Sequence, residues 1–191
     1  MLKYTLILLF SIFQITQSDA QSVIVWSGES PLKISDFMAK SPSNSGNLYG
    51  CQASCSIDFG FRMSAASFML TKNFNNKVKA VFTRNTSYLV ANTEEQKQQL
   101  VAYSQCIFDV TELYARKFRK RLFEEKKAFS NSEFYANAQE ELQKELQARE
   151  NYIQTATKLG QNTEELTKIR TQVLAEIAEL SDYCYDCKPN K

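Results

Sequence analysis

The fold is decided by residues 92–127, which read NTEEQKQQLVAYSQCIFDVTELYARKFRKRLFEEKK. Apolar side chains recur here at spacings of three and four, which places them on one face of an α-helix: Leu100, Tyr103, Ile107, Val110 and Tyr114. A capping signal precedes them, because Asn92 or Thr93 is followed three residues later by Glu95 or Gln96. The pattern predicts one long amphipathic helix from Asn92 to about Lys127.

Two more helical patterns follow the first. After Ser130, with Glu133 completing a capping box, the apolar positions are Tyr135, Ala138, Leu142, Leu146, Ile153 and Ala156. Gly160 can end that helix in a left-handed conformation, and Asn162 can cap the next one. The third helix has its apolar positions at Leu166, Ile169, Val173, Ile177 and Leu180. These patterns predict a C-terminal helical hairpin folded against the first helix.

The chain before Asn92 has a different hydrophobicity pattern, with short apolar or alternating runs separated by turn residues. The runs are Val23–Trp26, Leu32–Phe37, Ser56–Phe61, Ala65–Leu70 and Val78–Phe82. They predict a small antiparallel sheet that offers one face to a core. The fold class expected is therefore α+β, with a small N-terminal sheet packed on a long helix and the hairpin behind it.

The first twenty residues are typical of a cleaved secretory signal. Lys3 supplies the positive charge, residues 4–15 form an apolar stretch too short to span a bilayer, and Ser18 and Ala20 are the small residues near the cleavage point. We expect an exported protein, periplasmic or secreted, with no transmembrane segment. The remaining residues, 21–191, are expected to form one domain: a β-rich part over 21–91, three helices over 92–183 and a cysteine-containing tail over 184–191.

Composition excludes several function classes. The chain has no histidine, so histidine-based triads, histidine metal sites and histidine pH switches are closed to it. A net charge of +2 gives no field that argues for nucleic acid as a partner. No cofactor is indicated by any motif.

Five cysteines are present, and export favours disulfides for four of them. The candidates are Cys51, Cys55, Cys184 and Cys187, and the sequence does not choose among their three pairings. A zinc site built from the same four is the less favoured alternative, because thiols of exported proteins tend to oxidise. Cys106 is left over and is expected to be a small buried hydrophobe rather than a nucleophile.

Two charged features sit on the first helix. The basic run Arg116–Arg121 could bind a polyanion, but six successive helical residues spread around the cylinder, so solvated helix faces are the favoured interpretation. Asp109 and Glu112 could form a glycosidase-like carboxylate pair. A solvated or capping pair beside Arg116 is the favoured interpretation there.

The stretch from Leu100 to Lys120 resembles the active helix of a family of exported bacterial proteins of unknown function described as candidate zinc-dependent proteases. That helix reads approximately L-x-x-H-E-Q-x-H-F-D-I-x-E-x-x-A-R-K-x-R-K. Three flanking segments are also similar to the family: Trp26 with Leu32–Phe37 to W…L-x-W-S-D-F, Asn85–Leu89 to N-x-S-W-V, and Thr157–Gly160 to T-x-H-G. The resemblance implies a zincin-like fold.

The chain departs from the family at the residues that carry its chemistry. Tyr103 and Ile107 stand where the two helix histidines would lie, Ser104 replaces the glutamate base, and Leu159 replaces the late histidine. An H-E-x-x-H helix works because residues four apart share one zinc while the glutamate activates its water. The resemblance therefore implies a degenerate former site with no catalytic residues and no zinc, whereas Gln105, Phe108, Asp109, Glu112 and the basic run would orient and pack the helix.

The function expected is that of a catalytically inactive relative, a binding or scaffolding protein of the cell envelope with a protein partner. Two alternatives remain open at this stage. One is an active hydrolase or peptidase that uses an unrecognised site, and the other is a cysteine-based metal-binding protein.

Overall fold

A computed structural model describes residues 22–42, 49–60, 63–127 and 132–189 of the chain. Small antiparallel sheets pack on a long helix, and two further helices follow, so the α+β class is confirmed. The strands are β1 Val23–Val25, β2 Gly50–Gln52, β3 Cys55–Asp58, β4 Lys79–Thr83 and β5 Tyr88–Val90. The helices are α1 Ala65–Leu70, α2 Glu94–Glu125, α3 Ser132–Thr157 and α4 Thr163–Glu179. The predicted secretory signal and the capping box at Ser130 lie outside the described residues.

The strands form two sheets where the sequence predicted one. β4 is the centre of a three-stranded sheet in the order β1-β4-β3, with Ile24 and Cys55 both opposite Phe82. β2 and β5 make a separate pair, in which Cys51 lies opposite Leu89. Because Ala80, Val81 and Phe82 are buried, β4 is the strand that anchors this region to the core beside α2.

Two of the predicted strands are not strands. Ala65–Leu70 is the helix α1, because the Ser64 hydroxyl accepts the Ser67 amide and caps its first turn. The run Leu32–Phe37 contains a short 3-10 helix at Ile34–Asp36, whose Asp36 carboxylate accepts the Lys33 amide at 2.8 Å. In both segments a side chain satisfies the backbone locally, which short apolar patterns do not reveal.

The long helix begins where its capping signal predicted. The Thr93 hydroxyl accepts the Gln96 amide, and the Gln96 side chain accepts the Thr93 amide in return. The predicted apolar positions of α2 are all buried, but burial extends well beyond them: Ser104, Gln105, Asp109, Thr111, Glu112, Arg116 and Arg119 are buried too. The reason is that α2 contacts β3 and β4 as well as α3 and α4, so little of its middle faces water.

The expectation of a solvated basic run is wrong for two of its members. Arg119 is fully buried and Arg116 nearly so. Glu112 accepts from Arg116 Nε and Arg119 Nη1, each at 2.9 Å. Arg119 also donates to the carbonyls of Val78 and Tyr183, at 2.7 and 2.9 Å. These acceptors compensate for the loss of water around the guanidinium, which is what permits its burial.

The carboxylate pair is likewise not solvated. Asp109 is buried and accepts from Gln105 Nε2 and Arg170 Nε at 2.8 and 2.7 Å, and Glu112 is held by the two arginines. Both carboxylates are fully engaged in fixing α2 against its neighbours. They are not arranged as a free acid and base.

The turn between α3 and α4 is the one that the sequence predicted. Gly160 has φ +88°, and Lys158 and Leu159 also have positive φ, at 51° and 56°. A Cβ at Gly160 would lie 2.6 Å from the Gln99 carbonyl oxygen, so the turn packs directly on α2. The Asn162 side chain accepts the Glu165 amide and caps α4.

Among the described residues no helix is both long enough and apolar enough to cross a membrane.

Candidate functional site

A cavity of about 370 Å³ lies between the β2–β3 connection, α2, α3 and the turn after α3. The strand connection contributes backbone and small side chains, whereas the helices and the turn contribute larger ones. Its lining is Cys51, Gln52, Ala53, Ser54, Cys55, Tyr103, Ile107, Glu150, Asn151, Gln154 and Leu159. It is of the size that proteins use for small ligands.

The structure brings three of the four predicted site residues to this cavity. Tyr103 and Ile107, one turn apart on α2, line one wall, and Leu159 lines another from the turn after α3. Leu159 is held there by its backbone, since its carbonyl accepts from the Tyr49 hydroxyl at 3.0 Å. Ser104 is completely buried and is not part of the lining. Its hydroxyl donates to the Leu100 carbonyl at 2.7 Å and lies 3.7 Å from the Cys51 sulfur.

The phenol and the thiols of the cavity are held in their neutral forms. Burial raises the pKa of Tyr103, and the neighbouring Cys51 and Glu150 raise it further. Burial also raises the pKa of the Cys51 thiol, which the hydrogen bond with Ser104 partly offsets, and raises that of Cys55 well above its ordinary value. At neutral pH these groups offer hydrogen bonds but no charge, and the thiols have little nucleophilic character.

Glu150 is the cavity residue that sequence reasoning missed. Burial raises the pKa of its carboxyl from 4.5 to about 7. Among the described residues its carboxylate has no hydrogen bond or ion pair. A signal for it exists in the sequence, because Glu150 lies four residues after Leu146 and three before Ile153. A carboxylate therefore interrupts the apolar stripe of α3 at a position that faces the interior.

The cavity does not fit the zinc ion that an intact H-E-x-x-H helix would hold. Phenol and aliphatic side chains stand at the ligand positions, and no group of three or more histidine, cysteine, aspartate or glutamate side chains converges anywhere in the described part of the chain. The lining can form hydrogen bonds, exclude water and accept a positive charge at Glu150. It has no means of activating a water on a metal.

The cysteines divide differently from a four-ligand site. Cys184 and Cys187 are bonded to each other, so they are unavailable to a zinc site shared with Cys51 and Cys55. One of the two expected disulfides is thus present, with its pairing defined. Cys51 and Cys55 are free thiols at the cavity, and Cys106 is a buried free thiol, as its helical position predicted.

No protein-family model, curated protein or solved structure matches this chain significantly.

Proposed function

We propose that this protein is an exported, non-catalytic binding protein of the cell envelope, a zincin-like relative of the zinc-protease family that its long helix resembles. The proposal rests on one observation: Tyr103, Ile107 and Leu159, which stand at the family's metal-ligand positions, line a single cavity. The cavity therefore occupies the place of the former metal centre. Its lining serves recognition instead of metal chemistry.

The residues that the chain shares with the family support a retained scaffold. Gln105 accepts the Leu32 amide through Oε1 at 2.8 Å and donates to Asp109 through Nε2. Asp109 in turn accepts from the Trp26 indole at 2.9 Å. These contacts fix the N-terminal segment on α2 and so hold Tyr103 and Ile107 in a defined geometry. A rigid wall of this kind favours binding, because little order has to be gained when a ligand arrives.

A hydrolase that uses the same cavity is the second candidate, and Glu150 is the observation that favours it. A carboxyl with a pKa near 7 can both accept and release a proton at neutral pH. However, a peptidase needs an activated nucleophile or water, and the cavity thiols are held protonated by burial. Binding is therefore the function that the lining supports better.

The two candidates are separated by measuring metal content, hydrolysis and ligand contact on the purified protein. We expect less than a tenth of an equivalent of zinc and no cleavage of a fluorogenic peptide library, with or without added Zn²⁺. Peptides from envelope proteins should shift the methyl NMR signals of Ile107 and Leu159. The methyls of Leu122 and Val173, fully buried elsewhere, serve as internal controls and should stay in place.

Stoichiometric zinc together with peptide cleavage would overturn the proposal. So would a complete absence of Ile107 and Leu159 shifts across the peptide set. Cleavage without metal that is lost in Glu150→Gln would establish the hydrolase instead.

A further inference from the structure

Of the described residues that line the cavity, Glu150 carries a charge and the others are neutral. From α3 it shares the cavity with groups on three other elements: Tyr103 on α2, Cys51 on β2 and Cys55 on β3. Its charge acts on Tyr103 and Cys55 and raises the pKa of each. Phenol and thiols cannot supply a positive charge. The cavity thus contains one carboxylate without an internal counter-ion.

The nearest cation along the same helix is already engaged. Arg149 pairs with Glu176 of α4 at 3.2 Å, which directs its guanidinium toward the other helix of the hairpin. Glu150 is half-buried. A carboxylate that is partly withdrawn from water without a partner is unfavourable, and a cation brought by a ligand relieves that cost. The positive charge that Glu150 lacks would therefore come from outside the protein.

The lining also restricts what kind of cation fits. A metal ion needs several converging anionic or thiolate ligands, and the described residues hold no such group. An ammonium needs hydrogen-bond acceptors for its three N–H groups. Beside the Glu150 carboxylate, the lining includes the amide side chains of Gln52, Asn151 and Gln154, each of which carries an acceptor oxygen.

We infer that the cavity binds a protonated primary amine, with the Glu150 carboxylate as its counter-ion. The inference rests on the proposed function, since it specifies the ligand class of the same cavity. The amine can belong to a peptide N-terminus, a lysine side chain or a free small molecule. All three present the same ammonium chemistry to Glu150.

Binding should depend on pH in one direction. The cation requires the ionised carboxylate, and burial holds the pKa of Glu150 at about 7. The fraction of Glu150 that is ionised in the free protein rises about 30-fold between pH 5.5 and pH 8.5. The groups facing it, Tyr103, Cys51 and Cys55, have raised pKa values and so stay neutral over most of this interval. Affinity for an amine should therefore rise as Glu150 ionises.

The experiment is an NMR titration of the full chain, followed at the Ile107 and Leu159 methyls. The free-amine probe is n-butylammonium, and n-butanol is its neutral counterpart. A glycyl peptide with a free amino terminus, its N-acetylated form, and Nα-acetyl-lysine amide distinguish the three sources of the amine. At pH 8.5 we expect saturable shifts with at least one amine probe, at least tenfold weaker binding of n-butanol, and about 30-fold weaker amine binding at pH 5.5.

Glu150→Gln should weaken amine binding at least tenfold, whereas Glu145→Gln, the same change at an exposed position of α3, should leave it unchanged. The unliganded methyl spectrum of each variant reports whether it is folded. Equal affinity for n-butanol and n-butylammonium, an unchanged affinity in Glu150→Gln, or no shift with any amine would overturn the inference. If envelope peptides without a free amine still shift the Ile107 and Leu159 methyls, the proposed binding function stands even though the amine inference fails. Bound zinc together with peptide cleavage would overturn the binding function itself.

Discussion

The indole Nε1 of Trp26 donates a hydrogen bond of 2.9 Å to Oδ1 of Asp109, 83 residues further along the chain. The other carboxylate oxygen of Asp109 accepts from Arg170 Nε at 2.7 Å. One buried carboxylate on α2 therefore joins the segment after β1 to α4. Helix α2 is fixed from both sides at this point, two residues beyond Ile107 in the cavity wall.

Asp109→Leu should be strongly destabilising. The substitution leaves the Trp26 N–H and the buried Gln105 amide without this acceptor and removes the ion pair with Arg170. We expect a loss of about 3 kcal/mol in the free energy of unfolding. Urea denaturation followed by Trp26 fluorescence measures it. Glu179→Gln, which removes an exposed carboxylate, should change the same quantity by less than about 0.5 kcal/mol. An Asp109→Leu protein with the same free energy of unfolding as the parent would show that the Trp26 contact adds nothing to stability.

Arg119 and Lys120 are adjacent cations on α2 for which the same change should have very different costs. Arg119→Met leaves the Val78 and Tyr183 carbonyls without their donor and removes one of the two partners of Glu112. We expect a cost of about 3 to 5 kcal/mol. Lys120→Met removes a side chain that is 44% exposed and should cost less than about 0.5 kcal/mol. Equal urea midpoints for the two variants would contradict the buried role of Arg119.

This contrast shows what the sequence could and could not predict. Local signals were sufficient for α2, for the left-handed Gly160 and for the Asn162 cap, because each depends on residues a few positions apart. Whether a given arginine is solvated depends on acceptors remote in sequence: Val78 is 41 residues from Arg119 and Tyr183 is 64 residues from it. A short sequence pattern cannot identify acceptors that are this remote in sequence. The division of the strands into two sheets was not predicted either. The strands β2 and β5 are only three residues long, and so short a stretch carries little strand signal.

The cavity was predictable in part. The helical spacing of Tyr103 and Ile107 places them on one face of α2, and the resemblance added Leu159 from a distant turn. Glu150 was not identified from the sequence, because a charged residue on a largely exposed helix is ordinarily solvated. Its place between Leu146 and Ile153 was the available clue. A carboxylate inside an apolar stripe indicates either a buried ion pair or a ligand site.

Gly160→Ala should destabilise the turn that carries Leu159 into the cavity. The residue has φ +88°, and an added Cβ would lie 2.6 Å from the Gln99 carbonyl oxygen, so both backbone strain and a backbone clash oppose it. We expect a cost of about 2 kcal/mol or more, with a displaced Leu159 methyl signal. Gly50→Ala is the matched control, because its Cβ would meet nothing within 4 Å. A Gly160→Ala protein as stable as Gly50→Ala would contradict the described turn.

The Cys184–Cys187 disulfide should make a modest contribution to stability. It closes a loop with a sequence separation of 3, so the chain-entropy model gives only about 2 kcal/mol. The Cys187 carbonyl also accepts from Asn73 and Asn75, at 3.2 and 2.9 Å, and these bonds should persist in Cys184→Ser/Cys187→Ser. Alkylation of the unfolded protein before reduction should label Cys51, Cys55 and Cys106 alone. A single labelled thiol would instead indicate a second disulfide.

Glu150 should lower stability at neutral and higher pH, and removing its charge should restore it. Burial raises the pKa of the folded state to about 7 from 4.5. The unfolded protein therefore loses this proton first. The cost of ionising the half-buried carboxyl grows as pH rises from about 4.5 and levels off above 7. Glu150→Gln should be more stable than the parent by about 2 kcal/mol at pH 8.5, after allowance for partial exposure, and equal to it at pH 4.

Urea unfolding of both proteins across this pH range measures the difference, with Glu145→Gln expected to show no such trend. A Glu150→Gln protein that is less stable than the parent at pH 8.5 would mean that the carboxylate already has a favourable partner within the fold. A more stable one would show that the protein retains an unpaired charge at a cost to its own stability. Saturating amine should then narrow the gap between the parent and Glu150→Gln at pH 8.5, because a ligand that prefers the folded parent stabilises it by an amount that grows with the logarithm of its affinity.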